Sequence, residues 1–371
     1  MPHFYPLTVS KVQRETSECV SVTFKIPTHL SSEYQFNAGQ YLTLRTHING
    51  QELRRSYSIC AAPYQNELTV AVKKVSGGLF STFANEQLKT GDTLDVMTPI
   101  GNFTLSGDIV NTNSTAPETA KQYVFFASGS GITPIISLVK HILHEQPNAQ
   151  VLLFYGNKNF ESIIFREEIE ALKNKYLQRL SVQHILSRES LGSPLFKGHL
   201  DEDKCRQYAQ IFFNVAEIDG FFICGPETMI ERVSQALQSL HADPKRVHFE
   251  LFNTPTSGSL SPKTARTNNA DNGSEKDFES HIHVTIDGNS FDFMLYSKGE
   301  SILDAAHRVG ADLPFACKGG VCCTCKAKVL KGQVSMDVNY SLEHDEVVEG
   351  YVLTCQSHPT SEEVVISFDE H

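Results

Sequence analysis

The sequence predicts a multidomain chain: an antiparallel β-barrel, an α/β unit on a parallel sheet, a linker, and a C-terminal α+β unit. Three observations lead there. Short alternating apolar runs fill residues 1–110, and strand-then-helix alternation fills 121–252. Beyond a polar stretch at 253–280, four cysteines crowd into nine residues of the segment 281–371. At 371 residues the chain has room for two or three domains, each able to bury its own core.

In the first region the runs YLTLRTHI, SYSIC, ELTVAVKKV and DTLDVMTPI are separated by turn pairs at Asn49-Gly50, Gly77-Gly78 and Gly91-Asp92. Strands at that spacing suggest a small barrel. It carries Arg55-Ser56-Tyr57-Ser58. A guanidinium can pair with a pyrophosphate through two hydrogen bonds, and a tyrosine ring can cover an isoalloxazine face. Ser58 is a candidate catalytic residue, able to hydrogen-bond a flavin near its reactive nitrogen. The loop Gly77-Gly78-Leu79-Phe80-Ser81 offers backbone N–H groups to a second phosphate, with Val72 and Lys73 before it as further flavin contacts. A four-residue motif also fits an ordinary strand with an exposed arginine. The paired loop and the barrel context favour a flavin.

Polar residues 111–121 read as a connecting loop. After them YVFFAS, VLLFYG, SVQHILS and GFFICG are apolar runs of strand length, alternating with helical patterns at 133–145, 162–176 and 227–241. That predicts a parallel sheet with ligands at the carboxyl ends of its strands. Gly129-Ser130-Gly131-Ile132-Thr133-Pro134 follows the first strand and opens a helix, as a dinucleotide phosphate loop must, although it lacks the full G-x-G-x-x-G pattern. Ser187-Arg188 ends a later strand, where the arginine suits the 2′-phosphate of NADPH or is simply a surface cation. Cys224-Gly225-Pro226 ends the last strong strand. Cys224 is either a buried small hydrophobe or a catalytic side chain beside the nicotinamide, and Glu250 is expected near it.

Residues 253–280 are rich in Ser, Thr, Asn, Gly and Pro, and 28 such residues have a reach of roughly 30 Å as a flexible linker. The segment after it holds Cys317-x4-Cys322-x2-Cys325, with Cys355 further on. This is the plant-type spacing for a [2Fe–2S] cluster. Gly319 and Gly320 are expected to let the loop wrap the cluster and turn N–H groups toward it. A structural zinc site would more commonly show two short Cys pairs, and here there is one. Cys323 breaks the spacing and reads as a neighbour.

Nine cysteines, unevenly placed, do not form a disulfide framework. No apolar run approaches the ~18 residues that span a bilayer, and the N-terminus lacks a signal-peptide pattern, so a cytoplasmic protein without a membrane partner is expected. A net charge of −11 leaves no basic field for nucleic acid. Residues 281–371 carry 14 acidic against 6 basic side chains, either a solvated face or a docking face for a positive partner. Glu-x-x-His, Cys-x-His and His-Glu-x-x-His are all missing, so the chain is expected to deliver electrons and not to activate oxygen.

The three motif sets in this order resemble the ferredoxin–NADP reductase superfamily fused to a plant-type β-grasp ferredoxin. Leu53 to Cys60, the GSGITP loop, Asn253-Thr254-Pro255, DLPFACKGGVCCTCKAKVLKG, Asn339 to Leu342 and Gly350 to Leu353 resemble the reductase subunits of phenylacetyl-CoA epoxidases. The resemblance covers nearly the whole chain except the linker. It implies FAD as the flavin, NADPH as the donor, and the oxygenase subunits of a di-iron phenylacetyl-CoA epoxidase as partner. It also implies that Arg55, Tyr57, Ser58 and Gly77–Ser81 form the flavin site, and Gly129, Gly131, Thr133, Arg188 and Cys224 the nicotinamide site. A reductase for another oxygenase or a desaturase would carry nearly the same motifs. A redox sensor would not need the nicotinamide unit.

Overall fold

The computed structural model describes residues 3–105, 120–252 and 277–370. The chain forms two compact units, the larger comprising Tyr5–Leu53 and Tyr57–Leu251, the smaller mainly Phe252–His371. Residues 253–276, with Asn253-Thr254-Pro255 and most of the expected linker, lie outside the described residues, as does nearly all of 111–121.

The larger unit begins with β1 (Phe4–Thr16), β2 (Cys19–Lys25), β3 (Tyr41–Ile48), β4 (Gln51–Ser58), β5 (Leu68–Lys73) and β6 (Thr93–Met97), ordered β4-β3-β6-β1-β2-β5. The β1–β2, β2–β5 and β3–β6 pairs are antiparallel. A bridge from Ile59, just past β4, to Val70 of β5 joins the two ends of that order and closes the barrel. Strand alternation sends Leu7, Val9, Val20, Val22, Leu42, Leu44, Val70 and Val72 inward. The outward Cys19, Cys60 and Ala71 belong to a second core, shared with the α/β region. The glycine-rich loop is more than a loop. It leads into helix α1 (Leu79–Glu86), because Phe80 and Ala84 reach the barrel core.

The parallel sheet holds β7 (Gln122–Ser128), β8 (Gln150–Asn157), β9 (Leu180–Leu186), β10 (Gly220–Cys224) and β11 (Val247–Glu250), ordered β11-β10-β7-β8-β9. Its helices are α2 (Ile132–Glu145), α3 (Arg166–Lys175), α4 (Glu202–Phe212) and α5 (Glu227–Ser239). The helix expected from 162 starts only at Arg166, since Phe165 takes a left-handed φ of 59° that a helix cannot include. Helix α4 has no counterpart among the sequence expectations; it buries Cys205 and Tyr208.

The smaller unit contains β12 (Glu279–Ile286), β13 (Asn289–Tyr296), α6 (Ile302–Arg308), β14 (Lys326–Lys331), β15 (Val334–Met336), α7 (His344–Val348), β16 (Tyr351–Leu353), β17 (Ser357–Pro359) and β18 (Glu363–Ser367). Five strands order as β13-β12-β18-β14-β16, with β12 and β18 parallel, and β15 pairs with β17. Asp287 and Gly288, both at positive φ, turn the β12–β13 hairpin, as a two-residue turn of that twist requires. Strand β12 starts at Glu279, inside the stretch read as linker, and buries Ser280 fully. Helix α6 is capped by Ser301, whose Oγ accepts from the Asp304 N–H at 3.2 Å. Its Ile302, Leu303, Ala305 and Ala306 pack on the sheet. Among the described residues no helix is long and apolar enough to cross a membrane.

Candidate functional site

The thiols of the smaller unit come from the loop after α6 and from the turn after β16. Among the described residues, no three His, Cys, Asp or Glu side chains are grouped to hold one metal ion. The four thiols stand instead two and two. Cys322 donates to Cys317 Sγ at 3.1 Å, and Cys325 pairs with Cys355. Two pairs suit a binuclear cluster with two thiolates on each iron, and not the single four-ligand point of a structural zinc. The Cys322 S–H pulls the Cys317 thiol down to about 6 against the opposing effect of burial, helped by backbone N–H groups of Gly319, Val321 and Cys322. Cys355 is likewise lowered, chiefly by Cys325. One thiol of each pair is therefore disposed toward the thiolate, the form that binds metal.

Loop geometry differs in one respect from expectation. Left-handed backbone falls at Lys318 (φ 52°) and Gly320 (φ 72°), while Gly319 contributes its N–H, 3.3 Å from Cys317 Sγ. A Cβ on Gly320 would stand 3.0 Å from the Val338 carbonyl oxygen. Buried Asn339 ties the strap beneath: its Oδ1 accepts from Leu342 N at 2.8 Å and Ser341 N at 3.2 Å. Tyr340 N then donates to the Gly320 carbonyl at 3.0 Å. Gln356 Nε2 reaches both Lys318 O (3.0 Å) and Cys355 Sγ (3.6 Å). Cys323 turns toward Ser341 O at 3.7 Å, apart from the two pairs.

In the larger unit, the carboxyl ends of β4, β10 and β11 converge. Ser58 Oγ donates to Glu250 Oε2 at 3.0 Å, and Glu250 lies beside Cys224 in the parallel register of β10 and β11. Ser58 and Cys224 are buried, and Glu250 keeps only partial solvent contact. The surrounding protein strips its hydration and pushes the carboxyl up to about 8, against the Ser58 hydrogen bond that lowers it. Burial, then the proximity of Glu250, pushes the Cys224 thiol far above its ordinary range, so it stays protonated.

Two glycine-bearing turns meet backbone to backbone at the same edge. A Cβ on Gly131 would lie 2.0 Å from Cys224 O and 2.7 Å from Gly225 N, so no larger residue fits. A Cβ on Gly225 would meet Ser128 Cβ at 3.0 Å, and Pro226 then caps α5. Gly129 is left-handed (φ 54°), and its carbonyl accepts from the fully buried Tyr155 hydroxyl at 3.0 Å. Thr133 is buried with its hydroxyl on Ser130 O at 3.0 Å. Lys73 Nζ lies 3.4 Å from where a Gly129 Cβ would be, so it reaches the dinucleotide loop. Ser187 and Arg188 follow β9, their N–H groups on Asn157 O and Lys158 O, and Arg188 is exposed.

On the barrel, Arg55 is exposed and donates to Arg54 O at 2.7 Å, and Ser56 is half-buried. The Tyr57 ring packs 5.5 Å from Phe80 of α1. Gly77 is left-handed, Gly78 precedes α1, and Leu79 is exposed at the helix start. Ser81 spends its hydroxyl inside the loop, on Gly78 O and Val75 N. Val72 is barrel core with its carbonyl taken by Asn85 at 3.0 Å, so it offers a cofactor no side-chain surface. Sequence reasoning assigned no role to Tyr155 or Gln356, which belong to no short motif, and named Asn339 only within the segment Asn339 to Leu342.

Three family models match the chain: an oxidoreductase FAD-binding domain over residues 6–105, an oxidoreductase NAD-binding domain over 125–235, and a 2Fe-2S iron-sulfur cluster binding domain over 284–360. One subunit of the 1,2-phenylacetyl-CoA epoxidase of Escherichia coli (strain K12) is 42% identical over 371 residues, covering 100% of this chain and 99% of that protein. The 3-ketosteroid-9-alpha-monooxygenase ferredoxin reductase component of Rhodococcus rhodochrous is 31% identical over 365 residues, 98% of this chain and 96% of that one. Among solved structures, phthalate dioxygenase reductase shares the fold, with a TM-score of 0.54 at 21% identity over 98% of each chain.

Proposed function

Because the chain belongs to the family of that 1,2-phenylacetyl-CoA epoxidase component, we propose that it draws electrons from NADPH and delivers them to the oxygenase subunits of a di-iron phenylacetyl-CoA epoxidase. It is an oxidoreductase, the reductase component of an oxygenase system, using FAD, NAD(P)H and a [2Fe–2S] cluster. The observation that carries the proposal is the meeting of Ser58, Cys224 and Glu250, where the flavin-motif strand and the carboxyl edge of the nicotinamide sheet come together. When bound, FAD accepts a hydride from the nicotinamide and releases electrons singly, and the cluster carries one at a time.

The chain's own residues bind, orient and hold protons. Arg55 and the backbone N–H group of Leu79 would hold the flavin phosphates, with Tyr57 against the ring; the Gly78 N–H is taken by Val75 O at 3.0 Å. Gly129, Gly131 and Thr133 would seat the dinucleotide phosphates at the start of α2, with Lys73 beside them and Arg188 on the 2′-phosphate. Cys224 stays a thiol beside the nicotinamide. Ser58 and a protonated Glu250 form a proton-bearing pair beside Cys224. Cys317, Cys322, Cys325 and Cys355 would hold the cluster. We take residues 1–110, 121–252 and 281–371 as flavin, nicotinamide and ferredoxin domains, in a cytoplasmic protein.

Reconstitution with the oxygenase subunits tests the reading. NADPH-dependent epoxide formation from phenylacetyl-CoA is expected. If NADPH is oxidised rapidly by ferricyanide but no epoxide forms, while another oxygenase is driven to product, the partner assignment fails.

A further inference from the structure

Helix α2 starts with the dinucleotide loop and runs beside the barrel. Three of its residues on successive turns engage one barrel segment, Ala61–Gln65. Ser137 donates to Ala61 O at 2.6 Å, and both are buried. Lys140 Nζ reaches Gln65 Oε1 at 3.4 Å, and the His144 ring stacks on Tyr64 at 3.9 Å and 10°. The spacing i, i+3, i+7 keeps all three on one face.

That barrel segment is the direct continuation of Ser58. Ile59 and Cys60 are pinned between, their N–H groups on Gln40 O (2.8 Å) and Thr69 O (2.9 Å). A shift of α2 is therefore transmitted to the flavin-motif strand through only a few stiff residues. Lys140 stands out chemically. It is 5% exposed, and its other contact is Glu168 of α3 at 2.6 Å. A buried lysine is costly, and an apolar residue of similar shape would serve packing as well. Beside it runs a groove of about 630 Å³ lined by Arg14, Glu15, Gln65 and Glu168 among others. Along this side the barrel and the α/β region are joined by a polar strut.

We propose that this ladder sets the gap between the nicotinamide and the flavin, making Ser137, Lys140 and Gln65 positioning residues for hydride transfer. The inference rests on the reading given under Proposed function. The tests are Lys140→Met, which keeps the shape and removes both bonds, Lys140→Arg as rescue, and Ser137→Ala on another rung. In the flavin-loaded full chain, NADPH–ferricyanide kcat should fall about tenfold with KM nearly unchanged, less than the ~100-fold that a displacement of about 1 Å can cost. The kinetic isotope effect from deuterated NADPH should rise, and Lys140→Arg should restore both. Independently of turnover, hydrogen exchange should quicken at the amides of residues 129–133, seven to eleven positions before Lys140. Exchange that quickens only at 137–144, or a rise in KM with kcat intact, overturns the proposal. If Lys140→Met loses its flavin, Ser137→Ala decides by the same readouts. A wild-type chain that does not turn over NADPH sinks the functional reading instead, whereas active wild type with unaltered variants sinks the ladder alone.

Discussion

The Ser58–Glu250 contact and the loop at Cys317 shift protons in opposite directions, although Glu250 and Cys317 are both half-buried. Glu250 is surrounded by protein and receives one hydroxyl donor, so desolvation wins and it holds its proton up to about pH 8. Cys317 is also enclosed, but a neighbouring S–H and backbone N–H groups converge on its sulfur, and it releases its proton near 6. Burial alone does not set the state of a group. Donors aimed at it can outweigh burial.

The largest expected effects break the cluster side of that contrast. Cys317→Ser, Cys322→Ser, Cys325→Ser and Cys355→Ser should each abolish the native [2Fe–2S] absorption and EPR signals, and Cys323→Ser should leave them largely intact. Iron loss in Cys323→Ser with retention in Cys322→Ser would show the pairs to be misassigned.

On the proton-holding side, Glu250→Gln should cost about 100-fold in flavin reduction by NADPH, within the usual range for a positioned acid or base. In the wild type the rate should fall as pH rises through about 8, where Glu250 loses its proton, and the variant should lack that limb. The stability consequence has a definite sign. A carboxyl raised in the folded state binds a proton that the unfolded chain has already lost, so stability declines between about pH 4.5 and pH 8. Thermal melting of Glu250→Gln should show a shallower decline over that window; an identical slope would mean that the carboxyl is not raised.

Smaller effects sharpen the roles at the edges. Arg188→Ala should raise the KM for NADPH about ten- to a hundredfold more than that for NADH, since a charge-assisted contact to the 2′-phosphate contributes roughly 1.5–3 kcal/mol. Equal effects would leave Arg188 a surface cation. Smallest is a salt effect of a few-fold: raising ionic strength from about 0.01 to 0.15 M should slow the oxygenase-coupled reaction more than ferricyanide reduction, if the acidic C-terminal segment docks by charge.

The cluster loop was legible because its chemistry is local: three ligands must lie within a few residues to grip one cluster, and Cys317, Cys322 and Cys325 do. The strand–loop–helix around Gly129 was legible for the same reason. The Ser58–Glu250 contact was harder, because it joins residues 192 positions apart and depends on the register of β10 against β11. The reason for Gly131 was also hidden. Its neighbour is the backbone of Cys224, and nothing in GSGITP reveals that approach. Of the two expected glycines, Gly320 takes the left-handed backbone and Gly319 supplies the N–H to Cys317, while the second left-handed position falls on Lys318.

Strand β5 has two allegiances: Val70 and Val72 fill the barrel, while Ala71 between them fills the core of the α/β region. Recombination between related reductases is constrained accordingly. A crossover near residue 120 would graft a foreign helix onto Cys19, Cys60 and Ala71, and chimeras made there should express poorly unless those side chains travel with their partners. The C-terminal segment builds its core from its own residues, from Ile282 to Phe368. Swapping it at the polar stretch before Glu279 should yield folded hybrids, so new electron-transfer pairings are easier to obtain by exchanging the ferredoxin than by exchanging the hydride donor site.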